Sequence, residues 1–156
     1  MTDAPGTRLA GTSGPARGDL LGAGGPGTRA AAAPDRGTRA LVRAHGLFNV
    51  VGGLWPLLHM RSFERVFGPK TDRWLVRTVA GLLVGVGWTQ LHGASTVAGA
   101  EQARRVGRAT AATLLAVDLV YVPLGRISPA YLLDAAAETC WLLAWLRRPR
   151  PDPRRA

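Results

Sequence analysis

SPAYLLDAAAETCWLLAWLRRPR, residues 128–150, decides how the chain is read. It is an apolar run that stops at a basic wall, yet it carries two acids four residues apart, Asp134 and Glu138. Positions four apart share a helix face, so the carboxylates sit one turn apart on one side. Three similar runs precede it. Residues 44–60, AHGLFNVVGGLWPLLHM, and 78–100, TVAGLLVGVGWTQLHGASTVAGA, contain no Asp, Glu, Lys or Arg. Residues 109–125, ATAATLLAVDLVYVPLG, contain only Asp118. A surface helix of a water-exposed domain shows a charged face at every turn, and these runs do not. Each is near the roughly 20 residues, range 17–25, that a helix needs to cross a hydrocarbon core. The expectation is all-α: a four-transmembrane-helix bundle spanning 41–146, with helices at about 41–60, 74–93, 107–124 and 128–147; the alternative is a compact water-soluble four-helix bundle, since the first and third runs are short.

The segments outside these runs differ in composition. Residues 1–40 are mostly Gly, Ala, Pro, Thr and Arg, with few large apolar side chains. Such a segment cannot bury enough surface to offset the entropy of ordering, so 1–40 is expected to be a disordered tail. GTR recurs at 6–8, 27–29 and 37–39, an irregular spacing that marks low complexity and not a structural repeat. The tail lacks a signal peptide's apolar core, so no cleavage is expected. Residues 147–156 form a basic C-terminal tail. The 156-residue chain has 20 Lys and Arg against 10 Asp and Glu, a net charge of +10. No basic stretch is interleaved with aromatics as a nucleic-acid platform requires, so no nucleic-acid partner is expected. The single cysteine, Cys140, excludes an intramolecular disulfide and a multi-cysteine zinc site.

Four spans place both tails on one side. That side holds Arg29, Arg36, Arg39, Arg43, Arg104, Arg105, Arg108, Arg147, Arg148, Arg150, Arg154 and Arg155, and the other holds Arg61, Arg65, Lys70, Arg73 and Arg126, with Arg77 just inside the second helix. The excess of positive charge predicts a multi-pass plasma-membrane protein with both termini cytoplasmic. In the first outer loop, RSFERVFGPKTDR, Gly68-Pro69 marks a turn and SFERVF reads as a short interfacial helix. Trp55, Trp74, Trp141 and Trp145 suit the headgroup level. Gly81 and Gly85 form a GxxxG that permits close helix contact.

Charges inside such spans should face the bundle interior and find partners, because each costs about 2.5–3.5 kcal/mol at mid-span. With a rise of 1.5 Å per residue, Asp134 lies ~9 Å, Asp118 ~8 Å and Arg77 ~5 Å from the same end of the bundle. Tyr121, Arg126 and Tyr131 are near that level, and Glu138 is one turn deeper. The expected site is a polar cluster of Arg77, Asp118, Tyr121, Arg126, Tyr131, Asp134 and Glu138, anchored by Arg77, whose guanidinium holds two carboxylates in its fork. It serves either as interhelical glue or as the lining of a cavity for a polar or anionic head group. A secondary polar face comprises His45, Asn49, Gln90 and His92. The spacing of His, Cys and acids calls for no metal or cofactor. There is no Ser–His–Asp arrangement, Walker loop or GxGxxG.

The strings WPLLHMRSFERVFGPKTDRWLVRTV (55–79) and DLVYVPLGRISPAYLLDAAAE (118–138) resemble signatures of an uncharacterised family of small four-helix integral membrane proteins common in high-GC bacteria. The similarity covers roughly residues 41–146. It implies the four-span architecture. It also implies that Asp72, Arg73, Trp74, Arg77, Asp118, Arg126, Asp134 and Glu138 belong to a shared pattern. It implies no activity. The leading reading is a non-enzymatic integral membrane protein that binds membrane lipids, a membrane-protein partner or a second copy through the polar cluster. The alternatives are a small membrane enzyme or electron or proton carrier using the acids, and a subunit of a larger transporter.

Overall fold

A computed structural model describes residues 33–148. Four helices make up these residues, with no strand among them: α1 (Arg36–Phe67), α2 (Arg73–Gly93), α3 (Val97–Tyr121) and α4 (Tyr131–Leu146). α1 packs chiefly on α2, α2 on α3 and α3 on α4, while α1 also touches α3 and α4. The all-α four-helix bundle expected from the sequence is present.

Asp35 starts α1 by accepting the Thr38 N–H on Oδ1 at 3.0 Å, which satisfies one of the unpaired donors of the first turn. Along α1 the buried positions Val42, His45, Gly46, Asn49, Gly53, Pro56 and Met60 recur every three or four residues. That spacing makes one inward stripe. The stripe is small or polar, whereas Leu47, Val51 and Leu58 on the other faces are exposed. Gly46 and Gly53 bring α2 close: a methyl at Gly53 would lie 2.5 Å from the Ala80 carbonyl oxygen. The counterpart on α2 is Ala80 and Gly87, both buried. The GxxxG glycines take no part, because Gly81 and Gly85 face open space.

α1 breaks at His59 (φ −141°, ψ 65°), three residues after Pro56. Pro56 has no N–H for the Gly52 carbonyl, so it loosens the turn that precedes the break. Ser62 bridges the break. Its hydroxyl donates to the His59 carbonyl at 3.0 Å and accepts from Trp55 Nε1 at 2.7 Å. SFERVF therefore continues α1 beyond the kink instead of forming a separate helix.

α3 begins at Val97, capped by Thr96, ten residues ahead of the expected start at 107. The charged segment EQARRVGR reads as a loop by composition but is helical. Glu101 supports it with Arg105 four residues on at 3.3 Å and Arg104 three residues on at 3.8 Å. At the other end, Arg126 N–H donates to the Tyr121 carbonyl at 3.0 Å, and Gly125 takes φ 64° to turn the chain toward α4. A small apolar core of Val42, Ala94, Ala100, Ala103 and Trp145, flanked by Leu41, closes one end of the bundle.

The expected membrane topology is corrected. Among the described residues no helix is long and apolar enough to cross a membrane. α4 has 16 residues, about 24 Å at 1.5 Å per residue, against a hydrocarbon core of about 30 Å. The first half of α3 carries Glu101, Arg104, Arg105 and Arg108, and α1 carries charges at both ends. In α2, Gly, Thr, Gln and His dilute the Leu and Val. The multi-pass plasma-membrane placement with cytoplasmic termini therefore lacks the spans it needs. Residues 36–40, expected within the tail, are helical. Residues 1–32 and 149–156 lie outside the described residues, as do the expectations about them.

Candidate functional site

Three polar groupings emerge from the packing. The first joins α1, α2, α3 and α4 around His45. Asn49 Nδ2 donates to Gln90 Oε1 at 2.8 Å. Gln90 Nε2 faces the Ala103 carbonyl and His45 Nδ1, each at 3.4 Å. Trp145 Nε1 reaches His45 Nδ1 at 2.9 Å. An indole N–H only donates, so Nδ1 is the acceptor and the imidazole carries its proton on Nε2. Trp141 stacks on the ring at 4.7 Å between centroids, 10° from parallel. Burial pulls the His45 pKa down to about 4, so the ring is neutral at pH 7. Gly107 is required here, since a methyl would come within 2.8 Å of His45 Nδ1. Three of the four residues expected on the secondary polar face, His45, Asn49 and Gln90, come together. His92 does not: it is exposed, with Nδ1 3.0 Å from the Trp88 carbonyl oxygen of its own helix.

The second grouping holds the acids of α3 and α4. Asp118 and Glu138 are buried and Asp134 is half-buried. Neither oxygen of Glu138 has a hydrogen-bond partner in the protein, nor does Asp118 Oδ2. Burial, then the negative charges of Asp134 and Asp118, pushes Glu138 up to about 7. Burial and Asp134 push Asp118 up to about 6, and burial raises Asp134. Tyr131 is driven up to about 12 by burial and then by Asp118 and Asp134. The opposite side of the grouping leads to Lys70, whose ammonium lies 4.5 Å from the Tyr131 ring centroid.

Arg77 does not anchor these acids. Among the described residues, none of Asp118, Asp134 and Glu138 makes an ion pair; the pairs present are Arg73–Glu64, Arg104–Glu101, Arg105–Glu101 and Arg148–Asp35. Arg126 and Tyr121 are exposed at the end of α3. Arg77 lines the third feature, a cleft of about 280 Å³ with Leu58, His59, Met60, Arg61 and Arg73. Glu64 holds Arg73 from the side, accepting Nε and Nη2 at 2.8 Å each. That contact, followed by the Lys70 backbone N–H and the nearby positive charges, keeps the Glu64 carboxyl below its usual range.

The sequence reading missed His59, Arg61 and Arg73 as cleft residues, and Trp145 as a ligand of His45. Trp145 was assigned to a headgroup layer, although its i, i+4 spacing from Trp141 already put both indoles on one face. The break at His59, which shapes the cleft, had no signal beyond Pro56. No three His, Cys, Asp or Glu among the described residues are placed to hold a metal ion.

No family model, curated protein or solved structure matches the chain, so the resemblance over residues 41–146 rests on its two strings alone.

Proposed function

We propose that the bundle is a non-enzymatic binding protein whose apolar exterior takes up lipid. One observation carries this reading: polarity runs inside out. His45, Asn49, Gln90, Asp118 and Glu138 are buried, while Leu58 (78% exposed), Trp74 (68%), Leu133 (68%) and Leu82 (66%) face outward. Water rarely surrounds so many large apolar side chains on a small monomer without a binding role. Charge favours lipid over a neutral apolar partner, since 20 Lys and Arg against 10 acids complement anionic head groups. Contact between exposed side chains and a lipid surface requires no helix that crosses it.

Vesicle flotation tests the reading. The protein is expected to float with phosphatidylglycerol-containing vesicles, less so as salt rises, and less with phosphatidylcholine alone. Protein that stays at the bottom of both gradients and sediments as a dimer or larger assembly would overturn lipid in favour of a second copy as the cover. The proton-carrier reading has its own support in the unpartnered carboxyls of Glu138 and Asp118, and proton exchange at these groups would register as uptake near neutral pH.

A further inference from the structure

We propose that the cleft between the kinked end of α1 and the first turns of α2 is a binding site for a phosphate-type anion. Its walls are Leu58, His59, Met60 and Arg61 from α1, and Arg73 and Arg77 from α2. Arg73 and Arg77 are four residues apart and share a helix face. Three arginines, Arg61, Arg73 and Arg77, thus line one space, and Glu64 engages Arg73 beside it. Arg61 and Arg77 have no ion-pair partner among the described residues, and both are exposed. Guanidinium is planar, permanently charged and matched to two phosphate oxygens at once. The cleft also opens at the N-terminal end of α2, where the helix dipole favours an anion.

Size and lining narrow the ligand. At about 280 Å³ the cleft is at the small end of ligand pockets, fit for a head group and not for a whole lipid. Exposed Leu58 gives it an apolar lip, where the carbon chain of an ester would emerge, and Met60 is buried beneath it. The inference goes beyond lipid uptake on the exterior, because a free phosphoester would satisfy the same arginines.

The experiment is calorimetric titration of the full chain with inorganic phosphate at constant ionic strength, beside flotation with phosphatidate vesicles. Three proteins are compared: wild type, Arg61→Gln/Arg77→Gln, and Arg43→Gln/Arg147→Gln, which removes the same charge outside the cleft. Arg61 and Arg77 are exposed and unpaired, so the cleft variant is expected to keep the helical circular dichroism of wild type. At least a tenfold loss of phosphate affinity in the cleft variant, with the control variant unchanged, supports the site. If phosphatidate binding falls in parallel, the source is a lipid head; if vesicles are ignored, it is a free phosphoester. Equal losses in both variants, or no phosphate or phosphatidate binding that depends on Arg61 and Arg77, would overturn the site. Phosphate binding and vesicle binding that both survive in the cleft variant leave the lipid reading standing and remove this one.

Discussion

His45 and Glu138 are equally hidden from solvent, at 0% and 1% exposure, yet their surroundings differ in kind. His45 is partnered on one edge only: Trp145 and Gln90 supply donors to Nδ1 and Trp141 covers its face, while its buried Nε2–H has no partner in the protein. Glu138 has no donor for either oxygen, and its charged neighbours, Asp134 and Asp118, are of its own sign. Both groups respond to burial by staying neutral, but only the first gains hydrogen bonds in return. A buried polar group costs roughly 1–3 kcal/mol when left unpaired, and more when charged. The His45 seam therefore fastens four helices, while the carboxyl grouping weakens the α3–α4 contact whenever it ionises.

The largest way to break this contrast is at the well-partnered end. Trp145→Ala removes a fully buried indole and the donor to His45 together. It is expected to cost about 3–5 kcal/mol, read as a loss of melting temperature or as an unfolded chain. A loss under 1 kcal/mol in urea titration would mean that the seam is not what holds α4.

The pH profile sharpens the contrast. Glu138 holds its proton up to about 7 in the fold but only to 4.5 when unfolded, so unfolding releases a proton between these values. Stability then falls as pH rises, and the whole loss is in place above about 7. Asp118 acts likewise from 3.8 to about 6. His45 opposes them: its pKa drops from 6.5 to about 4 on folding, so its part of the stability is lost as pH falls through that window. Two carboxyls outweigh one imidazole, and the protein should melt higher at pH 5 than at pH 7.5. Glu138→Gln should flatten the profile and add about 2–3 kcal/mol at pH 7.5. An unchanged profile in that variant would show that Glu138 is partnered after all.

A smaller effect is expected at the hub. Gln90→Leu preserves bulk but leaves the Asn49 amide and the Ala103 carbonyl without their partner. The loss should be about 1–2 kcal/mol by chemical denaturation. Asn49→Leu added to it should be less than additive, because the two groups serve one another. Strict additivity would contradict the shared bond.

Parts of this arrangement were legible in the chain. Helical periodicity placed His45 with Asn49, and Asp134 with Glu138, because spacing along one helix fixes a shared face. Level along the bundle put Gln90 opposite His45, where it is found. Level also put Arg77 opposite Asp118 and Asp134, where it is not. Depth leaves the rotation of each helix about its own axis free, and Arg77 turns toward α1 and the cleft. Counting apolar residues foresaw four helices but overlooked the charged first half of α3 and the shortness of α4, the features that leave no helix fit to span a membrane.

The sequence by itself determined the all-α class, the presence of four helices, and which polar residues share a face. These follow from local periodicity and backbone preference, which act within a few residues. Only the tertiary structure decided which faces meet. It joined Trp145 to His45 across 100 residues, left Glu138 without a partner, and assembled the arginine cleft at a kink. Such contacts depend on how closely glycines let the helices approach and how each is turned, and no single helix contains that information.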